Sequence, residues 1–163
     1  MPRTVLDAGP LIHLDQLGCL DLLEGFEELR VPGVVWREVL IHRPTLGLAR
    51  LGLRLIEPTR APSPALAALI HGLDLDAGEI AALTLMEEWP GDLFLSDDAA
   101  ARLAAETSGF RVHGTIGLLI RAIRRGTRTI AQVRSTLEQI PTRSTLHINR
   151  RLLGRVIASL PAS

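Results

Sequence analysis

The chain has 163 residues, 47% of them hydrophobic, and its 18 basic residues, all arginine, balance 18 acids to a formal net charge of zero. That length and hydrophobic content suit one domain with a substantial core and argue against a disordered chain. No apolar run approaches the roughly 20 residues of a membrane helix, no secretory leader is visible, and the lone Cys19 has no partner for an internal disulfide, so a soluble, cytoplasmic protein without membrane contact is expected.

Along the chain, strand and helix signals alternate. The β-branched run Thr4–Leu6 predicts a first strand that runs straight into Asp7, with Pro10 suited to open a helix over Pro10–Leu17. A further helical segment is expected at Leu20–Leu23, then a short strand at Glu28–Val31 closed by Pro32, and a helix at Val34–Ile41. Leu53–Glu57 reads as a strand ended by Pro58, and Pro62 and Pro64 mark a loop into the apolar helix Ala65–His71. The start signal Asp76-Ala77-Gly78-Glu79 opens a helix to about Glu88, which Trp89-Pro90-Gly91 stops. Leu93–Leu95 is a strand, Ala99–Thr107 a helix, and Phe110–His113 a last short strand after the Ser108-Gly109 turn. Helices follow at Ile116–Arg125, Ile130–Gln139 and Asn149–Leu160, with Thr115 and Thr129 as N-caps. The order is that of an α/β fold, a parallel sheet wrapped by helices in one compact unit over residues 1–163.

The neutral total conceals a polarised chain. Residues 1–98 carry 16 acids against 7 arginines, and residues 99–163 carry 2 acids against 11 arginines. Arginine grips phosphate bidentately and stays charged at every relevant pH, so the second part suits a polyanion.

The acids of the first part sit at the ends of elements. Asp7 follows the first strand, where open α/β sheets keep their ligands, and Gly9 beside it permits a close approach. Glu38 lies among apolar positions in Val34-Val35-Trp36-Arg37-Glu38-Val39-Leu40, bordering a buried face where it needs a partner. Glu79 is placed to close a capping box with Asp76, yet Gly78 in the first turn serves no cap and leaves room for function. Asp97 and Asp98 follow the strand Leu93–Leu95: Asp98 suits a cap for the next helix, pairing with Arg102 one turn on, and Asp97 is the better ligand. Carboxylates gathered in this way repel one another unless protons or a cation intervene, and hard oxygen donors favour Mg²⁺ or Mn²⁺. The five histidines show no ligand spacing and read as surface or satisfied residues. GxSxG, Walker-type and GxGxxG motifs are all absent, and a phosphatase or phosphate-receiver site generally wants a lysine, which the chain lacks.

Four motifs in order, Val5-Leu6-Asp7-Ala8-Gly9-Pro10-Leu11-Ile12, Val31-Pro32-Gly33-Val34-Val35-Trp36-Arg37-Glu38-Val39, Leu75-Asp76-Ala77-Gly78-Glu79-Ile80-Ala81-Ala82-Leu83 and Leu93-Phe94-Leu95-Ser96-Asp97-Asp98-Ala99-Ala100-Ala101-Arg102, resemble those of PIN domains, the fold of VapC-type toxin nucleases. The likeness extends through Gly114-Thr115-Ile116-Gly117-Leu118-Leu119 and implies a three-layer α/β/α fold around a central parallel sheet. It further implies a metal-dependent ribonuclease with Asp7, Glu38, Glu79 and Asp97 as catalytic acids, and the same four with Asp98 as holders of Mg²⁺ or Mn²⁺. RNA is the expected partner, with Ser96 orienting a ligand or water and Arg102, Arg121, Arg124 and Arg125 on the phosphate backbone. An antitoxin protein and a homodimer are expected partners on the same grounds. One departure stands out: many PIN nucleases carry a further acid a few residues past the position of Asp97, where this chain has Ala99, Ala100 and Ala101. The competing reading is a catalytically weak or inactive PIN-like module that binds protein or RNA.

Overall fold

The computed structural model describes residues 2–162. Among them the strands are β1 (Arg3–Leu6), β2 (Glu28–Val31), β3 (Leu53–Leu55), β4 (Leu93–Leu95) and β5 (Arg111–His113), joined in one sheet of order β3-β2-β1-β4-β5 with every pairing parallel. The helices are α1 (Ala8–Gln16), α2 (Gly33–His42), α3 (Leu48–Leu51), α4 (Pro64–Leu73), α5 (Ala77–Glu88), α6 (Ala99–Thr107), α7 (Thr115–Arg124), α8 (Ile130–Arg143) and α9 (Arg150–Ser159), with a 3₁₀ turn at Leu20–Gly25.

Alternation along the strands sends side chains to two cores. Leu6, Leu29, Val31 and Leu95 pack with Leu11, Leu14, Val35, Val39, Leu119 and Leu137 on one face. Val5 and Phe94 pack with Leu66, Leu83, Met86 and Ala104 on the other. Helices therefore cover both faces, and the predicted three-layer α/β/α arrangement is what forms. β4, buried on both sides, reads as the apolar run Leu93-Phe94-Leu95 and is found at the limits its sequence suggests, as is β2, Glu28-Leu29-Arg30-Val31, closed by Pro32.

Elsewhere the boundaries move. The first helix begins at Ala8, not Pro10, because the Asp7 carboxylate caps it; Pro10 falls in the first turn, where no amide hydrogen is needed. Thr115 does not cap α7. Gly114 holds the cap position and Thr115 is the first helical residue. The strand at Leu53 ends at Leu55, a one-turn α3 precedes it, and α8 runs on through Pro141 to Arg143. Asn149 lies just outside α9 and caps it with its side-chain oxygen.

Chain order matters for the site. From central β1 the chain winds outward through β2 and β3, then returns to lay β4 on the opposite side of β1. The reversal opens a crevice at the carboxyl ends of β1 and β4, the place where ligands bind in such sheets.

A buried ion network holds the other end of the sheet. Arg30 of β2 is only 3% exposed; it donates to Asp92 at 2.8 Å and to Glu28 at 3.0 Å, while the Trp89 ring covers its guanidinium at 4.1 Å. Asp92 is equally buried and also receives Arg3 at 3.4 Å. Removing one member of such a group strands the other's charge. Asp92→Ala should therefore destabilise the protein by about 3–5 kcal/mol in urea unfolding, well beyond the effect of an exposed pair.

Candidate active site

Four sequence segments bring acids to the crevice. A cleft of about 340 Å³ is lined by Asp7, Glu38, Asp76, Glu79, Asp97 and Asp98, so every predicted acidic residue faces one space.

Asp7 is the anchor. Its amide continues the β1–β4 ladder by donating to Leu95 O at 2.9 Å, which fixes the backbone at the strand end. Its Oδ1 accepts from the Ala8 amide at 2.9 Å, and its Oδ2 from the Ser96 hydroxyl at 2.9 Å. Ser96 is fully buried and also accepts from the Asp98 amide at 3.2 Å, so it orients two acids at once. Burial raises the Asp7 pKa to about 6 against these hydrogen bonds, and the nearby charges of Asp76 and Glu38 raise it further.

Glu79 closes the capping box: Asp76 accepts from the Glu79 amide at 2.8 Å, and Glu79 Oε2 accepts from the Asp76 amide at 2.9 Å. Desolvation lifts Glu79 to about 7 despite that bond, with Asp76, Asp98 and Asp7 adding to the rise. Glu38 lies half-buried on α2 with no hydrogen bond or ion pair among the described residues, and burial and Asp76 push its pKa up. A Cβ at Gly78 would lie 3.4 Å from Glu38 Oε2, so the first turn of α5 and the Glu38 carboxylate are in near contact. That is the close approach the glycine allows.

Asp97 is differently placed. Its Oδ1 accepts from the Thr115 amide at 2.6 Å, and its Oδ2 from the Thr115 hydroxyl at 2.6 Å, with His13 Nδ1 also 2.6 Å away. With the carboxylate accepting, the His13 proton is on Nδ1. Gly114 makes this possible: a Cβ there would meet Asp97 Oδ1 at 2.7 Å and Arg102 Nη1 at 2.8 Å. Asp98 caps α6 through the Ala101 amide at 2.8 Å, as its position suggests, and forms no pair with Arg102.

The arginines lie outside the cleft lining. Arg102 reaches toward Gly114 beside Asp97, and Arg102, Arg111, Arg121 and Arg124 act together on His113, whose pKa is lowered mainly by burial. Arg121 stacks on Phe26 at 4.3 Å and, with Arg125, lines a separate pocket of about 280 Å³ that also holds Asp21 and Glu24.

With this geometry in place, the comparison with known families is decisive: the family described as PIN domain matches residues 3–161. The chain belongs to the PIN-domain family. No curated protein matches it. PIN domains are generally nucleases that use divalent metal ions on nucleic acids, and the nuclease-like fold is shared here.

The donor set fits such an ion in kind. All the acids are hard oxygen ligands, and desolvation and neighbouring acids already disfavour the charged forms of Asp7, Glu38 and Glu79, which a divalent cation would relieve. Among the described residues, however, no three His, Cys, Asp or Glu groups are drawn together tightly enough to form a ready cage. The PIN-domain cleft also holds His13, His42 and His147, which sequence spacing did not single out, because they come from α1, α2 and the segment before α9.

Folding raises the proton affinity of Asp7 and Glu79. The stability these acids contribute is thus complete below about pH 4, their ordinary range, and lost as pH rises through about 6 for Asp7 and about 7 for Glu79. In urea unfolding with chelator, wild type should lose more stability than Asp7→Asn between about pH 5 and about pH 8. Added Mg²⁺ or Mn²⁺ should stabilise the protein more at the higher pH, since ligating carboxylates must be ionised.

Proposed function

We propose that this PIN domain is a metal-dependent endoribonuclease. The observation that supports the reading most is the convergence of Asp7, Glu38, Glu79, Asp97 and Asp98 on one cleft at the switch point of the sheet. Asp7, Glu38, Glu79 and Asp98 would hold Mg²⁺ or Mn²⁺, and Asp97, engaged by Thr115 and His13, would complete the set or steady its wall. A divalent ion held by these carboxylates would activate a water and offset charge on the phosphate. The chain's own residues do the rest. Ser96 fixes the Asp7 carboxylate, the capping box fixes Glu79, and Arg102, beside Asp97 and without an ion pair among the described residues, holds an adjacent phosphate. Arg121, Arg124 and Arg125 extend the basic surface away from the cleft, giving sequence-blind, salt-sensitive binding. A toxin role with an antitoxin partner, pairing of two copies and a cytoplasmic site of action belong to the same proposal and follow from the family resemblance.

A second reading has a specific observation in its favour. Both Asp97 oxygens are already engaged by Thr115 and His13, and Ala99, Ala100 and Ala101 fill the region where many PIN nucleases have another acid. On that reading the domain binds RNA or protein and turns over weakly.

Cleavage of single-stranded RNA separates the two. The nuclease should lose activity in chelator, regain it with Mg²⁺ or Mn²⁺, and fall roughly a hundredfold or more in Asp7→Asn. Cleavage that survives both treatments would exclude the mechanism, and binding without cleavage would favour the module. Arg102→Ala should weaken RNA binding similarly for all sequences and flatten the plot of log affinity against log salt by about 0.7, the share of one single-strand phosphate contact.

A further inference from the structure

The acidic cleft presents a problem to any polyanion. None of its lining residues is an arginine, and the side-chain N–H groups it offers belong to three histidines. His13 has its Nδ1 committed to Asp97, which leaves His42 and His147, both exposed, as free donors at the mouth.

His147 reaches the cleft by a route of its own. It lies in the extended segment between α8 and α9, more than a hundred residues along the chain from the α2 residues with which it lines the cleft. The sequence Thr145-Leu146-His147-Ile148-Asn149 alternates as a strand does. Leu146 and Ile148 pack against the main core, while Thr145, His147 and Asn149 are exposed.

Both ends of the segment are pinned. Ser144 donates to Ile140 O at 2.8 Å, and Asn149 accepts from the Arg151 amide at 2.8 Å to start α9. Next to Ser144, Gln16 at the end of α1 accepts from the Thr145 amide at 2.7 Å and the Thr145 hydroxyl at 3.1 Å. The same helix carries His13 one turn earlier, so the clamp ties the crossing segment to a wall of the acidic site.

We propose that residues 144–149 form a substrate-contacting wall of the cleft and that His147, held in place by the Gln16–Thr145 clamp, grips the RNA phosphate next to the scissile bond. The inference rests on the ribonuclease reading. His147 is a binding residue, and Gln16 is a positioning residue that acts through it. An imidazole N–H suits this place, because it donates to a phosphate oxygen without placing a permanent positive charge against the acids.

The test measures binding of a short labelled single-stranded RNA in chelator, together with KM and kcat for its cleavage in Mg²⁺ or Mn²⁺. His147→Ala should weaken binding roughly tenfold, the loss of one charge-assisted hydrogen bond, with the cleavage defect carried mainly by KM. His147→Gln, which keeps an N–H donor, should restore binding to within about threefold of wild type. Gln16→Ala should reproduce the His147→Ala loss, and the double variant should be no worse than either alone, because both remove the same contact. Wild-type affinity in His147→Ala, no recovery in His147→Gln, or additive losses in the double variant would each overturn the assignment while wild-type cleavage still upholds the ribonuclease reading. If wild type neither binds nor cleaves RNA, both fall together.

Discussion

The site depends on one hydrogen-bonded seam, the junction at which Asp7 follows β1 and Ser96 follows β4. The ladder between these central strands continues one residue beyond the sheet through the Asp7 amide and Leu95 O, and the Ser96 hydroxyl then takes the Asp7 carboxylate. A carboxylate so deeply buried resists ionising unless donors hold it, and here an amide and a hydroxyl each take one oxygen. Desolvation still prevails, as its raised pKa records. The seam therefore stores an unmet demand for positive charge at the point where the sheet reverses its winding.

The two ends of the sheet settle their buried charges differently. At one end Arg30 meets Asp92 and Glu28 beneath the Trp89 ring, so opposite charges satisfy each other. At the other, burial raises the proton affinity of Asp7, Glu38 and Glu79, the charge of Asp76 adds to all three, and only His42 acts on Glu38 in the opposite sense. The first arrangement is structural and self-contained. The second is stable only with protons or an incoming ion. Asp97 is the exception within the acidic group, since Thr115 and His13 have already engaged it.

Much of this was legible in the residues, for local reasons. Short apolar runs ending in acids mark buried parallel strands and their carboxyl ends, which located Asp7, Asp97 and Asp98 at the edge of the sheet. Helix-start chemistry was equally plain at Asp76 and Thr129, where both capping boxes form. Long-range contacts were not legible. Nothing near Thr115 in sequence says that its amide and hydroxyl both go to Asp97 rather than to its own helix, and no spacing rule links His13, His42 and His147. The resemblance of the four acidic motifs to PIN domains carried the fold correctly because it encodes that tertiary arrangement, which periodicity does not. The arginines of the second half were expected on a phosphate backbone beside the acids; where each lies was not legible, and Arg121 and Arg125 line a pocket of their own beside the 3₁₀ turn.

The capping box at the start of α5 has one more consequence. The Glu79 carboxyl that faces the cleft also returns to the Asp76 amide, and Asp76 in turn secures the Glu79 amide. The helix origin and the electrostatics of the crevice thus share a single side chain. A ligand that takes Glu79 Oε2 from the Asp76 amide loosens the first turn of α5, whereas one that takes Oε1 leaves the box intact, so occupancy of the crevice and order at the helix origin are thermodynamically linked variables.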